Sequence, residues 1–126
     1  MLKILGEDLN FDKEQAGQMA TPFGGGLARW GTVCGAVVGG AMAIGFIFGC
    51  TKGEEKEKRE KTYTKVQEMI RGFEKDHATI QCRELIQLNL LDPEDRKKFQ
   101  DLNMRQRCAQ FVAKCAHLAR QLIKEG

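Results

Sequence analysis

The chain has 126 residues, 42% of them hydrophobic, so it is long enough to bury a core and short enough to form one domain. Its 20 Lys and Arg side chains against 17 Asp and Glu give a net charge of +3, which is too balanced to indicate a nucleic-acid-binding protein. The single tryptophan and single tyrosine provide no aromatic platform on which bases could stack. One domain over residues 1–126, with no nucleic-acid partner, is therefore predicted.

The first helix is predicted to run from a cap at Asn10 or Asp12 to about Ala20. Pro22 and the triplet Gly24-Gly25-Gly26 then end it. Only two prolines occur in the chain, and few stretches alternate between polar and apolar residues. This pattern predicts an all-α protein.

A glycine-rich, uncharged segment from about Val33 to Gly49 follows. Its length and its small side chains predict a central helix that neighbouring helices approach closely. A membrane span is the alternative, because 18 uncharged residues reach the lower edge of spanning length and Gly35 and Gly39 match a small-xxx-small pattern. The abundant glycine and the lack of charge asymmetry at the flanks favour the soluble central helix.

The second half of the chain contains several amphipathic helices. The charged run over residues 52–61 predicts the solvated start of a helix. An apolar stripe continues that helix at Tyr63, Val66, Ile70 and Phe73. A short helix is expected around residues 82–86, and Asp92-Pro93-Glu94 predicts the start of another. A stripe in the last helix comprises Met104, Cys108, Phe111, Cys115, Leu118 and Leu122. Together these elements predict a compact all-α bundle of four to six helices around the glycine-rich helix.

Five cysteines carry the possible chemistry, and no Cys-x-x-Cys pair is among them. The N-terminal segment lacks the apolar stretch of a signal peptide, which predicts the cytoplasm, where thiols stay reduced unless they take part in chemistry. The cysteines can form a redox site, form a metal or cluster site, or act as small buried hydrophobic side chains.

Helix geometry limits which cysteines can meet. At a rise of about 1.5 Å per residue, Cys34 and Cys50 would lie roughly 24 Å apart along one helix. Cys108 and Cys115 would lie roughly 10 Å apart on one face, beyond the reach of a disulfide. A shared site must therefore combine Cys34, Cys82 and one of Cys108 or Cys115, with Cys50 elsewhere.

Cys34 is the predicted nucleophile. If Thr32 caps the glycine-rich helix, Cys34 occupies the second helical position, where the positive helix end lowers the pKa of the thiol below its ordinary value of about 8.5. His77 and His117 are predicted to be surface or capping residues, since neither has a ligand at convincing spacing.

Four segments are distinctive in their order: Phe23-Gly24-Gly25-Gly26, Gly31-Thr32-Val33-Cys34-Gly35-Ala36-Val37-Val38-Gly39, Cys82-Arg83-Glu84-Leu85, and Cys108. Over nearly its whole length the chain resembles the family labelled C_GCAxxG_C_C, whose assigned role is redox activity. The resemblance implies a helical domain with a thiol, disulfide or metal-cluster role at Cys34, Cys82 and Cys108. The structural part of the motif would be Gly24, Gly25, Gly26, Gly35, Ala36 and Gly39.

The family's first cysteine, on a helix whose end Met1–Leu5 would form, has no counterpart here: either the reading frame extends upstream of Met1, or this member lacks one site thiol. We expect the natural reading frame to extend upstream and to encode a cysteine within about 10 residues of Met1, one to two helical turns away. A gap beside Cys34 would then mark the missing turn. Three thiols would complete a four-thiolate iron–sulfur or zinc site only with an outside ligand.

The predicted function is cysteine-based redox chemistry or electron transfer with a redox partner protein, and the three site cysteines should converge at one place. The alternatives are a metal- or iron–sulfur-binding structural or sensor protein, and a small membrane-associated interaction protein. Whether the protein is an enzyme stays open, although no Ser/His/Asp arrangement and no phosphate-binding loop is evident.

Overall fold

The computed structural model describes residues 12–126. Within this range the chain forms six α-helices and no strand, which confirms the predicted all-α class and the number of helices. The helices are α1 (Lys13–Ala20), α2 (Gly35–Phe48), α3 (Lys56–His77), α4 (Cys82–Ile86), α5 (Pro93–Asp101) and α6 (Arg105–Lys124). A 3-10 turn, Thr21–Phe23, follows α1. The predicted helix remnant at Met1–Leu5 lies outside the described residues.

Two of the predicted helix starts are confirmed in their atomic detail. The Asp12 carboxylate accepts hydrogen bonds from the N–H groups of Glu14 and Gln15, at 2.9 and 3.2 Å, so the cap of α1 is Asp12. Asp92 caps α5 in the same way, accepting from the N–H of Glu94 at 3.0 Å, with proline at the next position. Both caps satisfy backbone donors that the first helical turn leaves unpaired.

The glycine-rich helix α2 lies at the centre of the bundle, as predicted. It packs against both long helices, α3 and α6. Its buried residues are mostly small: Ala36, Val37, Gly39, Gly40, Ala43 and Ile44. They let the neighbouring backbones come close. Among the helices within residues 12–126, none combines the length and apolar character that crossing a bilayer requires.

Two phenylalanines anchor the contact between the long helices. Phe73 on α3 and Phe111 on α6 are almost completely buried, with ring centroids 5.8 Å apart in an edge-to-face arrangement. His77 lies against both rings, at 4.8 and 4.9 Å, and is half-buried rather than a surface residue. His117 is exposed, as predicted.

The prediction that Tyr63 belongs to the buried apolar stripe on α3 is wrong, because its side chain is 53% exposed. The Nζ atoms of Lys61 and Lys65 lie 4.8 and 5.4 Å from the centre of the Phe48 ring, so these two positions face α2. Tyr63 is two residues from each of them and therefore points to the opposite side of the helix. The side chains of Lys61 and Lys65, and not that of Tyr63, therefore lie on the side of α3 that meets the apolar Phe48 ring.

Two glycines in α2 provide a matched test of this packing. A Cβ atom at Gly40 would lie 2.6 Å from Sδ of the buried Met69, whereas a Cβ atom at Gly45 would meet nothing within 4 Å. We expect Gly40→Ala to lower the free energy of unfolding by about 1–3 kcal/mol through overpacking. Gly45→Ala should raise it by about 0.5–1 kcal/mol, since alanine favours the helix. Urea unfolding followed by circular dichroism measures both, and equal effects would contradict the packing.

Candidate functional site

A glycine-rich loop between the 3-10 turn and α2 forms one wall of the site. Gly25 and Gly26 have φ angles of +66° and +67°, in the left-handed region. A Cβ atom at Gly26 would lie 2.6 Å from Cβ of Cys82 and 2.8 Å from the backbone N and O of Thr32. Only glycine therefore lets the loop backbone lie directly against Cys82.

A short backbone connection holds Cys34 beside Cys82. Val33 and Gln81 form an isolated antiparallel bridge. On either side of it, the Cys34 N–H donates to the Ile80 carbonyl at 2.8 Å and the Cys82 N–H donates to the Thr32 carbonyl at 2.6 Å. The bridge and these two hydrogen bonds hold the segments that carry Cys34 and Cys82 side by side.

The predicted cap of the glycine-rich helix is wrong. Cys34, not Thr32, is the N-cap, and α2 begins at Gly35. The Thr32 hydroxyl donates to the Gly26 carbonyl at 2.8 Å instead, so it holds the glycine loop and is not free to cap the helix.

Cys34, Cys82 and Cys108 line one cavity of about 310 Å³. They come from three separate elements: the start of α2, the start of α4 and the first turn of α6. The rest of the lining is apolar or glycine, and includes the glycine triplet together with side chains such as Met42 and Phe99. The structure thus brings the three predicted site cysteines to one place, while their chemical roles remain predictions.

The other two cysteines do not line this cavity. Cys115 is fully buried in α6, and its Cβ would be 3.7 Å from a Cβ placed on Gly40. Cys50 follows the far end of α2 and is half-buried. All five cysteines are free thiols.

The remaining motif residues fit the chain around the cavity. A Cβ atom at Gly35 would lie 2.8 Å from the Phe23 carbonyl oxygen, so glycine is needed where α2 passes the 3-10 turn. Ala36 is 6% exposed, and Gly39 is buried one turn further along. Gly35, Ala36 and Gly39 all contribute to the cavity wall.

The expected low pKa of the Cys34 thiol is also contradicted. Burial raises the pKa of Cys34 above its ordinary value. The N–H groups of Ala36 and Val37 face the sulfur and lower the pKa by a smaller amount, although neither makes a capping hydrogen bond of normal geometry with it. Desolvation therefore outweighs the helix terminus at this position.

The other cavity thiols are shifted in the same direction. Burial, and then the negative charges that Cys34 and Cys108 would carry as thiolates, raise the pKa of Cys82 to about 11. Burial also raises the pKa of Cys108, against the lowering effect of Arg107 and Arg105. At neutral pH the cavity therefore holds neutral thiols, and ionising one of them disfavours ionising the next.

Alkylation by iodoacetamide measures this directly. The thiolate is the reactive form, so a raised pKa leaves less of it at pH 7. We expect Cys82 in the reduced protein to react at least about tenfold more slowly than free cysteine at pH 7, and its rate to keep rising by about tenfold per pH unit through pH 9. Mass spectrometry of the labelled peptides gives the rate at each site. A plateau in the Cys82 rate below pH 9 would contradict the assignment.

A resident metal ion does not fit the site as it stands. Within residues 12–126, no three His, Cys, Asp or Glu side chains lie close enough together to hold one. Structural zinc and iron–sulfur sites take four protein ligands, and the cavity offers three thiols. The metal role of Cys34, Cys82 and Cys108 stays a prediction.

Sequence reasoning missed the arginines beside the cavity. Arg105 precedes Cys108 by one helical turn, and Arg29 lies in the glycine-rich loop with a left-handed φ of +69°. The run of basic residues around position 105 was visible in the sequence, but nothing local indicated that it would adjoin the thiols.

The fold and the cavity define a class: a small all-helical protein in which cysteines from three elements share one largely apolar cavity. The family model described as "Putative redox-active protein (C_GCAxxG_C_C)" matches residues 1–122. The chain belongs to this family. No curated protein and no solved structure shows significant similarity to it.

Proposed function

We propose that the protein is a cysteine-based redox protein that exchanges a disulfide with a partner through Cys34, Cys82 and Cys108. One observation carries the proposal: three free thiols from separate elements line a single cavity otherwise made of apolar side chains and glycine. Membership of a redox-active family supports it. Free thiols also fit a reducing compartment such as the cytoplasm.

Cys108 is the thiol proposed to react first. It is the least buried of the three, and Arg105 and Arg107 both favour its thiolate. Cys108 also lies on α6, apart from the bridge that joins the segments carrying Cys34 and Cys82. The working disulfide therefore joins Cys108 to Cys82 or to Cys34.

The exchange proceeds in two balanced steps. The Cys108 thiolate attacks one sulfur of a partner disulfide, forming a mixed disulfide and releasing the partner's other sulfur as a thiolate. A second cavity thiol loses its proton and attacks Cys108, which releases the partner's remaining sulfur. The protein loses two electrons and two protons, and the partner disulfide gains both as two thiols. Because only thiolates attack, the raised pKa of Cys108 makes the first step slow at neutral pH.

The test is to titrate the reduced protein with a small disulfide under anaerobic conditions and map the products by mass spectrometry. We expect a loss of 2 Da, about one disulfide per chain, between Cys108 and one of the other two cavity cysteines. Cys108→Ser should abolish that disulfide, and Cys50→Ser is the matched control that should leave it unchanged. A disulfide between Cys34 and Cys82, one that involves Cys50 or Cys115, or none at all, would refute the proposal.

Metal analysis of the same anaerobic preparation separates the alternative role. Stoichiometric iron or zinc, lost in a Cys34→Ser variant, would instead support a metal or cluster site completed from outside the described residues. Protein that is free of metal and forms the expected disulfide supports thiol exchange.

A further inference from the structure

A second cavity, of about 540 Å³, adjoins the thiol cavity. The two share Gly24, Gly25, Leu90 and Phe99 in their walls. Three arginines line the second cavity: Arg29 from the glycine-rich loop, Arg96 from α5 and Arg105 from α6. Arg96 and Arg105 lie on consecutive helices, whereas Arg29 is distant in sequence, so the fold itself adds the third positive charge to this pair.

Positive side chains dominate the part of this cavity wall that residues 12–126 form. Among the described residues that line it, none is acidic. Within residues 12–126, Arg29, Arg96 and Arg105 form no ion pair with a carboxylate. The nearest acid in sequence to Arg96 is Asp95, which is engaged by the Asn89 N–H at 2.8 Å and by Lys98 at 3.9 Å.

The arginine-lined cavity lies next to the thiol proposed to react first. Arg105 and Cys108 are three residues apart on α6, so both side chains lie on one face of the helix. The positive charge of Arg105 also lowers the pKa of the Cys108 thiol, although burial has the larger, opposite effect. A ligand held by the arginines would therefore lie within reach of the Cys108 sulfur.

We propose that the arginine-lined cavity binds the carboxylates of an anionic disulfide and presents its sulfur–sulfur bond to Cys108. The inference rests on the proposed function and names its substrate class. Guanidinium groups fit carboxylates through paired, charge-assisted hydrogen bonds, and several in one concave site attract anions from solution. The carboxylates could belong to a small disulfide or to an acidic segment of a partner protein.

The test compares three symmetric small disulfides that differ in charge: dithiodipropionate, which is anionic, bis(2-hydroxyethyl) disulfide, which is neutral, and cystamine, which is cationic. Each rate of oxidation of the reduced protein is divided by the rate of the same disulfide with 2-mercaptoethanol, which removes differences between leaving groups. We expect the normalised rate to fall from anion to cation by at least about tenfold at low salt, and the difference to shrink at 0.5 M NaCl.

Variants assign the preference to the cavity. Arg29→Gln, Arg96→Gln and Arg105→Gln combined should reduce the preference, measured as the ratio of the normalised rates with the anionic and the neutral disulfide, to about twofold or less. The ratio is the readout because loss of Arg105, which lowers the pKa of Cys108, slows the reaction with every disulfide alike. Arg71→Gln removes one charge from an exposed position on α3 and should change nothing. A preference that survives the triple variant, or equal normalised rates in the wild type, would overturn the inference.

A binding measurement keeps the inference separate from the redox proposal. Suberate has the chain length and both carboxylates of dithiodipropionate but no sulfur. In NMR titrations it should shift resonances of residues 24–29 and 96–105 in the wild type and not in the triple variant. Reaction with none of the disulfides, together with suberate binding, would refute the redox proposal alone. Reaction with all three at equal rates, without suberate binding, would refute the anion site alone.

The same measurement of normalised oxidation rates distinguishes the two sources of carboxylate. Oxidised glutathione is compared with the disulfide of a glutamate-rich hexapeptide that contains one cysteine. A preference for glutathione supports a small anionic disulfide, and a preference for the hexapeptide supports an acidic partner segment. A normalised rate for both that is no faster than that of the neutral disulfide overturns the inference.

Discussion

Gly26→Ala is expected to lower the free energy of unfolding by about 2–5 kcal/mol. A left-handed backbone costs an L-residue about 1–2 kcal/mol, and forcing an extra carbon into packed atoms costs about 1–3 kcal/mol. Both costs apply here, because Gly26 has a φ of +67° and its Cβ would lie 2.6 Å from Cβ of Cys82. Relief of the contact would move the loop away from Cys82 and widen the thiol cavity.

Urea denaturation of the reduced protein measures this loss. Gly53→Ala is the matched control, since a Cβ atom there would meet nothing within 4 Å, and its effect should stay within about 0.5 kcal/mol. If the Gly26→Ala protein does not fold at all while Gly53→Ala folds normally, the clash is larger than expected but of the same sign. Wild-type stability in Gly26→Ala would show that the loop does not pack on Cys82.

Phe111→Ala is expected to cost about 3–5 kcal/mol, because truncating a buried aromatic ring loses its transfer free energy and leaves a cavity. Phe111 is 1% exposed and packs against Phe73 and His77, which join α6 to α3. A small domain has only about 5–15 kcal/mol of stability in total. The variant should therefore unfold at a markedly lower urea concentration, and a substantial fraction of its molecules should be unfolded at 37 °C.

Phe46→Ala is the control of the same residue type. Phe46 lies on α2 but is 58% exposed, so its truncation should cost no more than about 1 kcal/mol. Similar losses in Phe46→Ala and Phe111→Ala would mean that the contact between the long helices is not the main apolar core. Disulfide formation in the folded fraction of Phe111→Ala should be retained, because Phe111 is not among the residues that line the thiol cavity.

The structural features that could be predicted from the sequence are those set by interactions between residues close together in the chain. Asp12 and Asp92-Pro93 satisfy or remove backbone donors within a few residues, so the starts of α1 and α5 depend only on neighbouring atoms. The central place of α2 follows from its uncharged, small residues, which no solvent-facing helix would need. The prediction for Tyr63 was wrong because helical periodicity gives the relative directions of side chains, but not which of those directions faces another helix.

The candidate site depended more on tertiary structure. The order of the motif segments in the sequence identified Cys34, Cys82 and Cys108, and a family resemblance carried the choice of Cys108 over Cys115. Their common cavity, by contrast, exists because the Val33–Gln81 bridge and the glycine loop join segments about 50 residues apart in sequence. The Thr32 hydroxyl is engaged by the Gly26 carbonyl, a contact across a loop that a cap signal in the sequence cannot reveal.

The sequence alone predicted the helical class, two of the helix caps, the central helix and the three cysteines that line one cavity, since each follows from short-range contacts, composition or motif order. The tertiary structure decided how the thiols ionise and what surrounds them. The pKa of Cys34 is raised and not lowered, because burial by distant segments outweighs the helix terminus that the sequence makes visible. Likewise, Arg29, Arg96 and Arg105 line one cavity only once three separate elements have packed. Their combined potential depends on their distances in space, which the separations along the chain do not give.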